Sequence, residues 1–100
     1  MPFKVSLHPD VISRDMPDIN RDMQERILNA LDNRLATSPE RYGHRLRHSL
    51  KGYWKLRVGD YRAVFRISGS EVWVLGIGNR KEIYGQIGTR LRWQPSVSRN

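Results

Sequence analysis

Residues 3 to 8, FKVSLH, place Phe3, Val5 and Leu7 on alternate positions ahead of Pro9. A period of two is that of a half-buried strand, so the chain is expected to open on one. The following DVISRDM is short and runs into Pro17, which predicts only a brief helix. Beyond it, Asp18 is an N-cap residue type, and Ile19, Met23, Ile27, Leu31 and Leu35 recur at every fourth position with charged residues between them. That spacing predicts the principal helix. Residues 38 to 52 hold Pro39, Gly43 and Gly52 and read as a connecting loop. Three apolar runs then follow, YWKLRV, YRAVFRI and VWVLGI, divided by Gly59-Asp60 and by Ser68-Gly69-Ser70-Glu71, which predicts a three-stranded antiparallel meander.

Strand, two helices and meander together predict an α+β fold. The N-terminal strand and the meander form an antiparallel sheet, and the two helices pack on one of its faces. Period two directs Trp54, Leu56, Val58, Ala63, Phe65 and Ile67 toward the helices, with Tyr61 on the same parity. It leaves Lys55, Arg57, Arg62 and Arg66 on the opposite, open face. From Gly85, GQIGTRLRWQPSVSRN shows little periodicity. The domain is therefore read as residues 1 to 84 and residues 85 to 100 as a tail with Trp93 as its large anchor, loosely ordered at its last positions.

Length and composition agree with one globular domain: 100 residues, 38% of them hydrophobic and 28% charged. Cysteine is absent, which excludes disulfides, and His8, His44 and His48 do not have zinc-site spacing, so no metal or other cofactor is expected. No apolar run resembles a signal peptide or a membrane span, and the expected location is the cytosol. Charge changes the picture most. Residues 1 to 40 carry five Lys and Arg against seven Asp and Glu, whereas residues 41 to 100 carry thirteen against three. So one-sided a basic half favours a polyanionic partner, either nucleic acid or an acidic protein, over a merely solvated surface.

Like charges on facing rows of a sheet repel by roughly 0.2–1 kcal/mol per pair, and a bound polyanion would offset that. Gly78-Asn79-Arg80-Lys81 brings two more cations to the end of the last strand, with Tyr84 just beyond. The loop cations Arg45, Arg47 and Lys51 are candidate contacts to such a polyanion, together with Arg57, Arg66 and Lys81. His44 and His48 have no nearby carboxylate to complete a triad and read as structural.

LKGYWKLRVGDYRAVFRI, followed by VWVLGIGNRKEIY, resembles the RelE/ParE family of toxins from type II toxin-antitoxin pairs. MQERILNALDNRLATSPE and the loop to Leu50 are similar to that family's paired helices and linker, so the likeness spans roughly residues 2 to 84. The resemblance implies a compact sheet backed by N-terminal helices. It also implies an acidic cognate antitoxin as partner and one of two activities. RelE-like members cut messenger RNA on the ribosome, at the 16S rRNA decoding site, without metal; ParE-like members block DNA gyrase. An inactive binding relative is a third reading.

For RNA cleavage the resemblance gives Lys55 the base, its pKa lowered by Arg57 and Arg62, and gives Arg62 and Arg80 the scissile phosphate. Tyr84 would orient the hydroxyl, share the proton transfer or stack on a base, and the polyanion met by the other cations would be RNA. The chain departs from RNA-cutting members at Tyr53, where the first of two basic residues stands, and at Asn79, often a histidine. Lys55 and Arg57 keep the basic spacing one step later.

Overall fold

The computed structural model describes residues 2–95. Its five-stranded sheet has the order β1-β5-β4-β3-β2, with β1 Lys4–Leu7, β2 His44–Arg45, β3 Trp54–Val58, β4 Tyr61–Ser68 and β5 Glu71–Gly78. The meander forms as its period predicts: β3 pairs antiparallel with β4, and β4 with β5, turning at Gly59 and Gly69, both with positive φ. The α+β architecture stands, with one pairing different from expectation. β1 joins β5 in parallel, Lys4 opposite Glu71 through Leu7 opposite Val74. Alternation of side chains reports which face is buried and is blind to strand direction, and the long helical excursion after β1 leaves either direction open.

Helix α1, Arg21–Ala30, runs on through a wider turn at Leu31–Leu35. Its cap is Asn20, whose side chain accepts the Met23 N–H at 2.9 Å, and not Asp18. Pro17 starts a tight turn of its own at Met16–Asp18, and Ile19 is extended, so the helix cannot begin until Asn20. A four-residue repeat drifts by roughly 40° per step around a helix of 3.6 residues per turn. The wider last turn, in which the Ala36 N–H reaches the Leu31 carbonyl at 3.1 Å, takes up that drift and keeps Leu35 buried. The stretch read as a loop contains a short helix α2, Pro39–Tyr42, and the edge strand β2, which pairs with β3 through His44 to Lys55 and Arg45 to Trp54.

Two apolar clusters flank the sheet. On one face Ile27, Leu31 and Leu35 meet Leu56, Phe65 and Val74. On the other, Val64 and Leu75 meet Ile83 and Ile87, with Tyr53, Tyr84 and Trp93 around them. The β4–β5 register carries one irregularity: Val64 faces Gly76 while Phe65 faces Val74, which leaves Leu75 unpaired and puts it on the same face as its neighbour Gly76, toward Ile83 and Ile87.

The second face is therefore partly covered. Helix α3, Glu82–Gln86, and the turn Ile87–Arg90 lie against it so closely that a Cβ on Gly76 would sit 2.6 Å from Ile87. Packing continues beyond Tyr84, where the domain was expected to end, because Ile83, Ile87 and Leu91 present one apolar edge to the sheet. The last positions of the tail, residues 96 to 100, lie outside the described residues. Among the described residues no helix is long and apolar enough to cross a membrane.

Candidate functional site

The open part of the second face is built by β3 and β4. Arg57 stands directly opposite Arg62 across the strand pair, and Lys55, one alternation along β3, stands opposite Val64. Alternation puts Lys55, Arg57 and Arg62 on one face. Arg57 is exposed, whereas Lys55 and Arg62 are half-buried. On its other flank Arg62 pairs with Gly78, which has no side chain to screen it. The Arg62 guanidinium lies over the Tyr84 ring at 5.7 Å, and its Nε is buried with no hydrogen-bond partner. Stacking on a ring stabilises a cation by about 0.5–1 kcal/mol at accessible sites, which offsets repulsion of similar size from Arg57. The forked guanidinium is thus held on an aromatic face beside two other cations, suited to an oxyanion or phosphate.

Other expected members lie on the neighbouring turns and strands. Arg80 and Lys81 are exposed in the turn between β5 and α3. Arg80 lines a cavity of about 350 Å³ with Asp15, Asp18, Tyr61, Glu82 and Gln86, a setting rich in carboxylates. Arg66 stacks over Trp73 at 5.7 Å, toward the far end of β4. Arg45, Arg47 and Lys51 surround a cleft of about 830 Å³ beside β2, where the Arg45 guanidinium lies 5.0 Å from the Trp54 ring centroid. Tyr53 donates its hydroxyl to the Leu91 carbonyl at 3.3 Å and ties the C-terminal segment to β3.

Sequence reasoning missed the group that holds this segment down. Asp15 and Arg90 form a buried ion pair at 2.8 Å. Asp15 also accepts the Ile77 N–H at 2.9 Å, and Arg90 donates to the Leu75 carbonyl at 2.9 Å. Because β1 pairs with β5 only as far as Val74, this pair occupies the β5 edge that no strand covers. Nearby, the His8 ring packs on Trp93 at 5.1 Å, and Trp93 meets Trp73 edge-on at 6.5 Å. The Asp10 backbone N–H donates to His8 Nδ1 at 2.9 Å, a bond open only to an unprotonated nitrogen. Burial lowers the His8 pKa; Asp10 opposes this, Arg90 adds to it, and Asp15 opposes it in turn. A signal for the C-terminal packing did exist, the four-residue spacing of Ile83, Ile87 and Leu91, but Gly85 and Gly88 interrupt it.

Residues 7–84 match the family described as ParE toxin of type II toxin-antitoxin system, parDE. No curated protein sequence matches the chain. Among solved structures, the toxin-antitoxin complex RelBE2 from Mycobacterium tuberculosis is similar at a TM-score of 0.74 and 26% identity, covering 80% of this chain and 93% of that one. A mutant of the E. coli toxin RelE in the free state gives 0.72 at 18% identity over 91% of this chain and 99% of that one. YafQ from E. coli gives 0.58 at 17% over 83% and 99%. At such low identity, the last two establish the fold alone. A family match over most of the chain, on a fold shared with these toxins, shows that the chain belongs to the ParE toxin family of type II toxin-antitoxin systems, within the RelE/ParE superfamily.

Proposed function

We propose that this chain is a toxin that cuts messenger RNA on the ribosome without metal, and that an acidic antitoxin segment silences it by covering the cationic strand face. The observation that carries the reading is the block of Lys55, Arg57 and Arg62 on one face, with Arg62 stacked on Tyr84. In the reaction, a ribose 2′-oxygen attacks its neighbouring phosphorus while Lys55 serves as the base for the hydroxyl proton. Arg62 and Arg57 hold the non-bridging oxygens as negative charge grows on the phosphorane. The bond to the 5′-oxygen breaks, a 2′,3′-cyclic phosphate remains, and the leaving oxygen takes a proton from the Tyr84 phenol or from water. Arg80 and Lys81, exposed in the next turn, contact the strand outside the reacting phosphate. Arg66, Arg45, Arg47 and Lys51 hold flanking RNA or the 16S rRNA of the decoding site.

A second reading, inhibition of DNA gyrase, is favoured by the family match to ParE. Translation of a defined message in a purified system, with primer extension to map new RNA ends, separates the two. Cuts at the decoding position that disappear in Arg62→Ala support the nuclease. Intact message together with loss of gyrase supercoiling activity would sink it in favour of the second reading. The antitoxin partner is tested by mixing the chain with the product of a neighbouring acidic reading frame and measuring complex formation with and without Arg57→Glu.

A further inference from the structure

Arg90 is bound on every side. Its Nη1 and Nη2 fork onto the two Asp15 oxygens at 2.8 and 3.2 Å, Nη1 also donates to the Leu75 carbonyl at 2.9 Å, and Nε lies 3.6 Å from Asp10. Both ion pairs found among the described residues belong to it. The guanidinium passes β5 beside Gly76, where a Cβ would stand 3.2 Å from Nη1. Tyr84 stands on the same helical stretch, because Glu82–Gln86 and Ile87–Arg90 follow one another without a break. At about 1.5–2.0 Å per residue the two side chains start roughly 9–12 Å apart along it.

That stretch does not hold its own shape. It is shorter than the roughly 12–15 residues an isolated helix needs in water, and Gly85 and Gly88 weaken it further although no neighbour crowds either position. Its place on the sheet is therefore set from outside. Ile83 and Ile87 rest against Gly78 and Gly76, contacts that fix depth and permit sliding, whereas the Arg90 fork is directional and fixes position along β5. Arg62 depends on the result, since its buried Nε has no hydrogen-bond partner, Arg57 opposite repels it, and the Tyr84 ring is what it stacks on.

We propose that Arg90, held by Asp15, is a positioning residue for the reaction: through residues 82 to 90 it sets where the Tyr84 ring meets Arg62, and so how Arg62 is presented to the phosphate. The proposal rests on reading this face as the site of RNA cutting.

The test is a double-variant cycle in the full chain. Asp15→Asn/Arg90→Met removes the fork, keeps an acceptor for the Ile77 N–H and leaves the net charge unaltered. Far-UV circular dichroism and a urea melt check its fold, and Arg90→Lys, which keeps the charge pair without the fork, replaces it if it melts too early. Single-turnover cutting on the ribosome is measured with Tyr84 present and in a Tyr84→Ala background. About tenfold loss is expected with Tyr84 present, because a shift of about 1 Å at a reacting site costs up to ~100-fold. Less than about twofold loss is expected once Tyr84→Ala has removed the ring. Affinity for a 2′-O-methylated, uncleavable single-stranded RNA, followed by anisotropy, is expected to stay within about threefold, since no cation of the strand face is removed. Equal losses in both backgrounds, no loss in either, or an affinity that falls as far as the rate would each overturn the positioning role.

A further readout does not depend on cutting. The Arg62 Nε–H is buried beside a ring that shields it, so its proton resonance is slow to exchange and displaced upfield. That signal is expected to move downfield in Asp15→Asn/Arg90→Met as it does in Tyr84→Ala, and an unmoved signal overturns the proposal whatever the activity. The two readings thus fail separately. A moved signal in a chain that cuts no message keeps the positioning and removes the nuclease, whereas cutting that the changes leave untouched removes the positioning alone.

Discussion

Arg62 carries three interactions at once: it faces Arg57, stacks on Tyr84 and keeps a buried Nε free of partners. Only a planar, permanently charged group can stack and fork at the same position, so lysine is not a conservative replacement. Arg62→Lys is expected to lower the rate of RNA cutting by about 100-fold, the size of effect seen when one oxyanion donor is lost, with little change in stability. Single-turnover cutting on the ribosome compared with a urea melt checks both halves. A rate within threefold of wild type would show that charge alone suffices there.

His8 supports a second prediction at this scale. Its folded pKa lies below the ordinary 6.5, chiefly through burial, so the unfolded chain binds the proton more readily. The stability that neutral His8 provides is therefore complete above about pH 6.5 and falls away as the pH drops through the folded value. Protonation at Nδ1 would also break the bond from the Asp10 N–H and loosen the packing on Trp93. His8→Asn keeps an acceptor near that position without a titrating ring. Thermal melts from pH 7.5 down to 5 should show a steeper fall in Tm for wild type than for the variant, and parallel curves would dismiss His8 as a contributor.

Among the elements, what could be read from sequence depended on whether local pattern or distant pairing decides. Ile27, Leu31 and Leu35 announce their helix, and the two turns with positive-φ glycines announce the meander, because each signal is contained in a few neighbouring residues. The parallel pairing of β1 and the edge strand β2 depend on partners far along the chain, and a two-residue strand has no period to detect. The open cationic face was legible in Lys55, Arg57 and Arg62, since alternation alone places them. Arg80 was assigned to it by likeness, from a turn whose side chains alternation does not place, and it lines a cavity with Asp15, Asp18 and Glu82. Covering of the other part of that face was hidden because its anchor, Asp15 with Arg90, joins residues 75 positions apart.

That anchor can be tested as a unit. Arg90→Met leaves a buried carboxylate with only the Ile77 N–H and should destabilise by about 3–5 kcal/mol. Adding Asp15→Asn removes the stranded charge and keeps an acceptor for the Ile77 N–H. The double variant should therefore be more stable in urea than Arg90→Met alone. If the two losses simply add, the pair is not coupled and the C-terminal segment is held by its apolar contacts.

At the scale of the molecule, the charge asymmetry becomes a division between sides. The net charge of +8 arises entirely from residues 41 to 100, which build β2 to β5 and the C-terminal segment, while the slightly acidic first forty residues form β1 and most of the helical layer on the opposite face. A polyanion approaching this protein thus meets one attractive side. Each phosphate neutralised on a single strand contributes roughly −0.7 to the slope of log affinity against log salt, so about five engaged cations predict a slope of roughly −3.5. Removing one of them reduces the slope by about 0.7, whereas removing an equal charge from the helical side changes nothing. Arg57→Gln and Arg21→Gln are the matched pair, both exposed, one on β3 and one on α1. Affinity for the uncleavable RNA measured between about 50 and 200 mM salt should show a shallower slope for Arg57→Gln and the wild-type slope for Arg21→Gln. Equal slopes for both variants would mean that the protein attracts RNA by net charge and not through the strand face.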